Sequence, residues 1–229
     1  MRGDLPSPGL DGRSLRLFHA ALAQWFSNAG RSFPWRRTRD PYKVLVAEKL
    51  LQQTAARDAL VHAYQGIIHK FPTPKDLAEA RLSDIQWLMR PLGLTYRARE
   101  LRALAREVVT KYNARVPDDL KALMALPGVG DYSSRAVMSF AFHKDVAVVD
   151  TNVARFLHRM FGMSSPLPEN PSRLRALRKL AESLVPAGRA RTHNLAVLDL
   201  CALVCRPTNP LCGKCPVRRF CVYGQESST

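Results

Sequence analysis

Apolar residues recur at three- and four-residue intervals along most of this chain, the period of a helix with one buried face. Leu15, Phe18, Leu22, Trp25 and Phe26 predict a first helix on that basis. Pro34 and Pro41 then interrupt the pattern, so Arg31-Ser32-Phe33-Pro34-Trp35-Arg36 reads as a loop. Val44, Val46, Leu50 and Leu51 place a second helix over 42–54, and a third follows over 57–70. Thr73 before Pro74 is an N-cap followed by proline in the first turn, opening a short helix. Ser83 is read as the cap of the next, which carries Ile85, Trp87 and Leu88 and ends before Pro91-Leu92-Gly93. A longer helix covers 96–112, and Pro117 opens one that ends at Leu126. Further helices are expected over 131–142, 150–161, 172–184 and 191–204, with a proline-rich connection at 164–171. Only Val146–Val149 resembles a strand, so the expected fold class is all-α.

Two helices flank Leu126-Pro127-Gly128-Val129-Gly130, which makes the segment a helix-hairpin-helix. Gly128 and Gly130 are expected to supply backbone angles closed to other residues and to let the chain approach a phosphate. The helix that follows aims its N-terminal amides the same way. Leu126, Gly128, Val129 and Gly130 are therefore candidate DNA contacts; an ordinary tight turn is the bland alternative. Asp131 fits poorly beside a phosphate and is read as a cap that points away.

Asp150 follows the apolar run Val146–Val149 and opens a helix. A carboxylate there is partly desolvated while helix amides compensate its charge, which suits stabilising a developing cation or placing a water; a plain N-cap is the alternative. Glu48 sits between Val44/Val46 and Leu50/Leu51 on an apolar helix, either as a second working carboxylate or as a solvent-facing residue.

Composition narrows the class. Of 229 residues, 35 are Lys or Arg and 19 Asp or Glu, a formal charge of +16 that calls for a polyanionic partner. No apolar run approaches the span of a membrane, and residues 1–13 read as a loose polar tail with no hydrophobic signal segment. The expected setting is the cytoplasm, associated with the nucleoid, with reduced thiols. Cys205, Cys212, Cys215 and Cys221 form a C-x6-C-x2-C-x5-C run that suits one metal centre better than disulfides. All-cysteine ligation favours an iron–sulfur cluster, with four-cysteine zinc as the alternative. Cys201, in an apolar stretch, reads as a buried small residue. Hairpin and cysteines together point to a protein that works on DNA.

These residues resemble the helix-hairpin-helix DNA glycosylases of the endonuclease III superfamily, from about Leu15 to Gly224. The resemblance rests on Leu126–Gly130, on Val149-Asp150-Thr151-Asn152-Val153 and on the cysteine run. It implies two helical domains with DNA and the target base between them: a six-helix barrel over 33–144, and a domain joining 14–32 to 145–229 that holds a 4Fe-4S cluster. Arg31–Arg36, Pro41–Val44 and Glu48 through Gln52-Gln53-Thr54 resemble the mismatch-specific branch, both the thymine–DNA mismatch glycosylases and the MutY-type adenine glycosylases. By that likeness Asp150 is the catalytic aspartate, Glu48 the catalytic glutamate and Asn152 a polar support for the transition state. Arg31, Trp35 and Arg36 form the wall of a base pocket, Gln53 fills the space left by the extruded base, and Leu94 is the wedge beside the estranged base. Bifunctional relatives carry a Schiff-base lysine at the second position after the hairpin. Here that position is Tyr132, which implies a monofunctional enzyme, with Tyr132 packing on the flipped nucleotide.

The expected partner is double-stranded DNA containing a mismatch, bound by a monomer. The choice of base is open at this point. Gln52-Gln53 resembles the adenine-removing relatives, whereas Phe33-Pro34-Trp35, residues 37–42 and an end at Thr229, without the second domain of MutY-type enzymes, resemble the enzymes that remove T or U opposite G. T or U is the favoured expectation. A non-catalytic iron–sulfur DNA-binding protein is the reading from another class.

Overall fold

The computed structural model of the chain describes residues 10–52, 58–163, 167 and 175–226. Among these no strand occurs, and no helix is long and apolar enough to cross a membrane. The chain forms two compact units, one of residues 32–142 and one of residues 1–31 with 143–229, each as far as it is described.

The 32–142 unit contains α2 (Pro41–Leu51), α3 (Asp58–Lys70), α4 (Pro74–Glu79), α5 (Leu82–Met89), α6 (Arg97–Tyr112), α7 (Leu120–Met124) and α8 (Asp131–Phe140). Helix α2 packs on α3 and α8, and α6 covers α4 and α5. Tyr42 and every α2 residue from Val44 to Leu50 are buried, so most of this helix is enclosed on all sides. A capping box between Thr73 and Asp76 starts α4, as the sequence predicts. Two predicted starts are corrected. Helix α5 begins at Leu82 from an extended Arg81 with no side-chain cap, so Ser83 lies inside the first turn. Helix α7 begins at Leu120 because Asp119, not Pro117, supplies the cap: its Oδ1 accepts from the Ala122 N–H at 2.8 Å.

The other unit contains α1 (Gly12–Ala29), α9 (Thr151–Met160), α10 (Arg175–Ser183), α11 (Ala190–Leu203) and α12 (Val222–Glu226). Helix α1 starts inside the expected 1–13 tail, because Asp11 caps it by accepting from the N–H groups of Arg13 and Ser14. Phe18 and Leu22 of α1 meet Val153, Phe156, Leu157 and Met160 of α9 and Leu200 of α11 in one core. Cys201 is buried in that core, which pushes its thiol well above the usual range. Val146–Val149 is not a strand. Its backbone is paired instead by a side chain: Asn194 Oδ1 accepts from the Val148 N–H at 3.2 Å and Asn194 Nδ2 donates to the Val146 carbonyl at 2.8 Å.

Candidate functional site

Asp150 is the N-cap of α9. Its Oδ1 accepts from the Val153 N–H at 2.7 Å, and its Oδ2 accepts from Asn152 Nδ2 at 2.9 Å. One carboxylate oxygen thus fixes the helix start while the other is aimed by Asn152. The Asn194 amide anchors the extended segment that delivers Asp150, so both sides of the carboxylate are held by the fold.

The same hydrogen-bonded chain runs on to the cysteines. Asn152 Oδ1 accepts from Arg155 Nη1 at 2.9 Å, and Arg155 Nη2 donates to the Cys205 carbonyl at 2.8 Å. One turn further along α9, Arg159 donates to the carbonyls of Arg206 and Pro207 at 2.7 and 2.9 Å. The loop after Cys205 is therefore strapped to the helix that Asp150 caps.

Cys205, Cys212, Cys215 and Cys221 all line one pocket, with Phe156 and Arg159 among its other walls. None is in a disulfide. Burial pushes the Cys215 thiol up to about 12, and the neighbouring Cys221, Cys205 and Cys212 push the same way; burial also raises Cys221. Among the described residues, no group of three or more His, Cys, Asp or Glu side chains is gathered as a site for a metal ion.

In the 32–142 unit, the hairpin between α7 and α8 is closed by the Val129 N–H donating to the Leu126 carbonyl at 3.1 Å. Leu126 and Val129 are buried, so their side chains root the hairpin rather than face a ligand. Gly128 has φ +67°, the left-handed region that favours glycine. Gly130 corrects the expectation. As N-cap of α8 it is extended at φ −96° and ψ −176°, angles open to any residue, and an added Cβ would meet nothing within 4 Å. Asp131 begins α8 and accepts from Arg135 Nε one turn on at 3.1 Å; beside it Tyr132 is half-buried.

Glu48 is 4 % exposed, which removes the solvent-facing reading; α2 encloses it together with Lys49, 3 % exposed. Lys49 and Gln52 reach the hairpin, both donating to the Gly128 carbonyl, at 3.3 and 2.8 Å. Gln53 lies outside the described residues. Leu94 is half-buried, directly after Gly93 at φ +66°.

Arg31 belongs to one unit, and Trp35 and Arg36 to the other. Arg31 is bound within its own unit by Asp199, which accepts from its backbone N–H and from Nε, both at 2.7 Å. Trp35 is 6 % exposed, stacked on Phe33 at 4.8 Å between ring centroids and set edge-on to Tyr64. Arg36 lies over the Phe33 ring.

Sequence reasoning missed Lys49, Asn194 and Arg155. Lys49 alone carried a signal. Adjacent charges within Val44-Leu45-Val46-Ala47-Glu48-Lys49-Leu50-Leu51 diverge by about 100° around a helix, so an apolar context on both sides implies that at least one is buried.

A model described as HhH-GPD superfamily base excision DNA repair protein matches residues 46–184, the stretch that holds Glu48, the hairpin and Asp150. The chain belongs to this superfamily. Among its relatives, the thymine/uracil-DNA glycosylase of Methanothermobacter thermautotrophicus is 39% identical over 93% of this chain and 96% of its own. The human adenine DNA glycosylase is 37% identical over 89% of this chain, which spans 39% of that protein. The solved structure of a thermostable thymine-DNA glycosylase superposes with a TM-score of 0.84 at 37% identity, covering 93% of this chain and 98% of the other. The all-α class expected from the helical periodicity and the helix-hairpin-helix glycosylase fold implied by the resemblance are thus the ones observed.

Proposed function

We propose that the protein is a monofunctional base-excision DNA glycosylase that hydrolyses the N-glycosidic bond of a mismatched base, T or U opposite G. The similarity to the Methanothermobacter thymine/uracil-DNA glycosylase, over nearly the full length of both chains, carries this reading. The buried Glu48 and the positioned Asp150 support an enzyme over a passive DNA-binding protein, since binding alone has no use for a buried carboxylate.

The stacked nucleotide must rotate out before its glycosidic bond can be reached, at a cost of a few kcal/mol that a mismatch reduces. Phosphate contacts from the hairpin amides and the basic surface offset that cost without reading sequence. As the bond breaks, positive charge develops on the sugar, and the Asp150 carboxylate stabilises it. Oδ2 remains directed by Asn152 while Oδ1 is anchored to α9, so little reorganisation accompanies the step. Glu48 orients the attacking water or assists the departing base by hydrogen bonding. Tyr132 offers no amine to the sugar aldehyde, so strand cleavage does not accompany base release.

The cysteines fit a 4Fe-4S cluster: four thiols line one pocket, and a cluster attaches its ligands to separate irons, so they need not close on a single ion. When bound, the cluster cross-links the chain after α11 and holds Arg206, Lys214, Arg218 and Arg219 as a basic surface. Ultraviolet–visible absorption and iron analysis of anaerobically purified protein check this; zinc without iron contradicts it.

The adenine-removing alternative rests on the 37% identity to human adenine DNA glycosylase. A panel of labelled duplexes with G:T, G:U, A:G, A opposite oxidised guanine and an oxidised pyrimidine, nicked with hot alkali after incubation, decides between them. The proposal expects release at G:T and G:U to exceed all others. Adenine release with none at G:T or G:U contradicts the choice of base, and no release from any duplex contradicts the enzyme.

A further inference from the structure

Lys49 is an ammonium buried in the last turn of α2, and no step above uses it. Its three donors are all engaged: with Glu100 Oε2 at 2.8 Å, Gln52 Oε1 at 3.2 Å and the Gly128 carbonyl at 3.3 Å. None remains for a phosphate. Gln52 repeats the contact, its Nε2 donating to the same carbonyl at 2.8 Å and to Ser133 Oγ at 3.3 Å. The first turn of α6 holds this end of α2 in turn: Glu100 pairs with Lys49, and the buried Arg97 donates to the Gln52 carbonyl.

A trans peptide directs its C=O and the following N–H to opposite sides. In the Gly128–Val129 peptide both ends are fixed, the carbonyl by Lys49 and Gln52 and the N–H by the Leu126 carbonyl. The plane therefore cannot turn independently of α2. It sets the path of the chain into Gly130 and the first turn of α8, whose leading amides have no acceptor within the helix. The fit is tight, because a Cβ built on Gly128 falls 2.1 Å from Lys49 Nζ.

We infer that Lys49 is a positioning residue for DNA: from beneath the hairpin it locks the Gly128 peptide in the orientation that presents the following amides to a backbone phosphate. The inference rests on the DNA-binding part of the proposed function and is independent of which base is removed.

The test is the affinity of Lys49→Met, Glu100→Gln and Gly128→Ala for a duplex carrying a non-cleavable abasic analogue opposite G, measured by fluorescence anisotropy over a salt series. Melting temperature and single-turnover excision are measured alongside. Kd is expected to rise about 10-fold in Lys49→Met and Gly128→Ala and less in Glu100→Gln. The excision rate at saturating enzyme is expected to fall less than the affinity. The slope of log Kd against log salt should stay unchanged, because the lost charge does not itself meet a phosphate; loss of a direct phosphate contact shifts that slope by about 0.9. Such a shift, or a wild-type Kd in folded Lys49→Met, overturns the inference. So does a lowered melting temperature with wild-type affinity well below the transition, which marks a structural ion pair. If Lys49→Met does not fold, wild-type affinity in Gly128→Ala overturns it. A wild-type protein that binds the duplex but releases no base contradicts the glycosylase reading and leaves this test intact.

Discussion

At the residue scale, few atoms carry the proposed chemistry, and the fold holds the carboxylate at its centre through both oxygens. Asp150 is the N-cap through Oδ1, and the proposed mechanism gives the catalytic role to the same carboxylate, whose Oδ2 is held by Asn152. Asn152→Ala removes the bond to Oδ2. A hydrogen bond to a charged group contributes about 1.5–3 kcal/mol, so single-turnover excision is expected to fall at least about 10-fold with duplex affinity nearly unchanged. An equal loss in affinity and rate would mean that Asn152 instead shapes the bound DNA. Tyr132→Lys tests the other assignment at this scale: the parent protein should give little borohydride-trapped DNA adduct, and strong trapping without the mutation contradicts the monofunctional reading. The N-cap position of Asp150 and the apolar setting of Glu48 were legible, because one carboxylate ends an apolar run and the other lies within one. Asn194 was not, since an asparagine that pairs with a distant extended segment leaves no local pattern. Nor was the packing of Trp35, which depends on Tyr64 from another helix.

At the element scale, helix positions were largely legible and the helix starts less so. The periodicity of α1, α6 and α9 reflects one buried face, whereas α2 is buried all round and reads only as an apolar run. Proline marked the neighbourhood of α7, but the start is set by whichever side chain satisfies the first amides, here Asp119. The two hairpin glycines look equivalent in sequence and are not. Gly130→Ala should alter stability by less than about 0.5 kcal/mol, because its angles suit any residue and the space is open. Gly128→Ala must hold a positive φ and displace Lys49, and should cost at least about 1–2 kcal/mol in chemical denaturation. Equal effects would contradict the hairpin geometry.

At the scale of the whole molecule, charge and burial set the response to solvent. With a formal charge of +16, duplex affinity should fall steeply with salt, linearly on log–log axes. Acid acts through a different group. Burial, reinforced by the neighbouring His19, lowers His193 to about 3 from a usual value of 6.5. Below pH 6.5 the unfolded chain therefore takes up a proton that the folded chain refuses. The stability this residue protects is complete above pH 6.5 and is lost as pH falls toward about 3, by up to about 1.4 kcal/mol per pH unit. His193→Phe should flatten the pH dependence of the denaturation midpoint across that window; an unchanged slope contradicts the burial-based account. The central claim, that this basic helical protein releases a mismatched base through Asp150, is tested most directly by single-turnover excision from a G:T duplex with wild type and Asp150→Asn, with Kd measured on the same duplex. The account predicts T release by wild type, a loss of at least 100-fold in the variant, and a Kd within a few-fold of wild type, because the carboxylate acts only as charge develops. Near-wild-type excision by Asp150→Asn would contradict it.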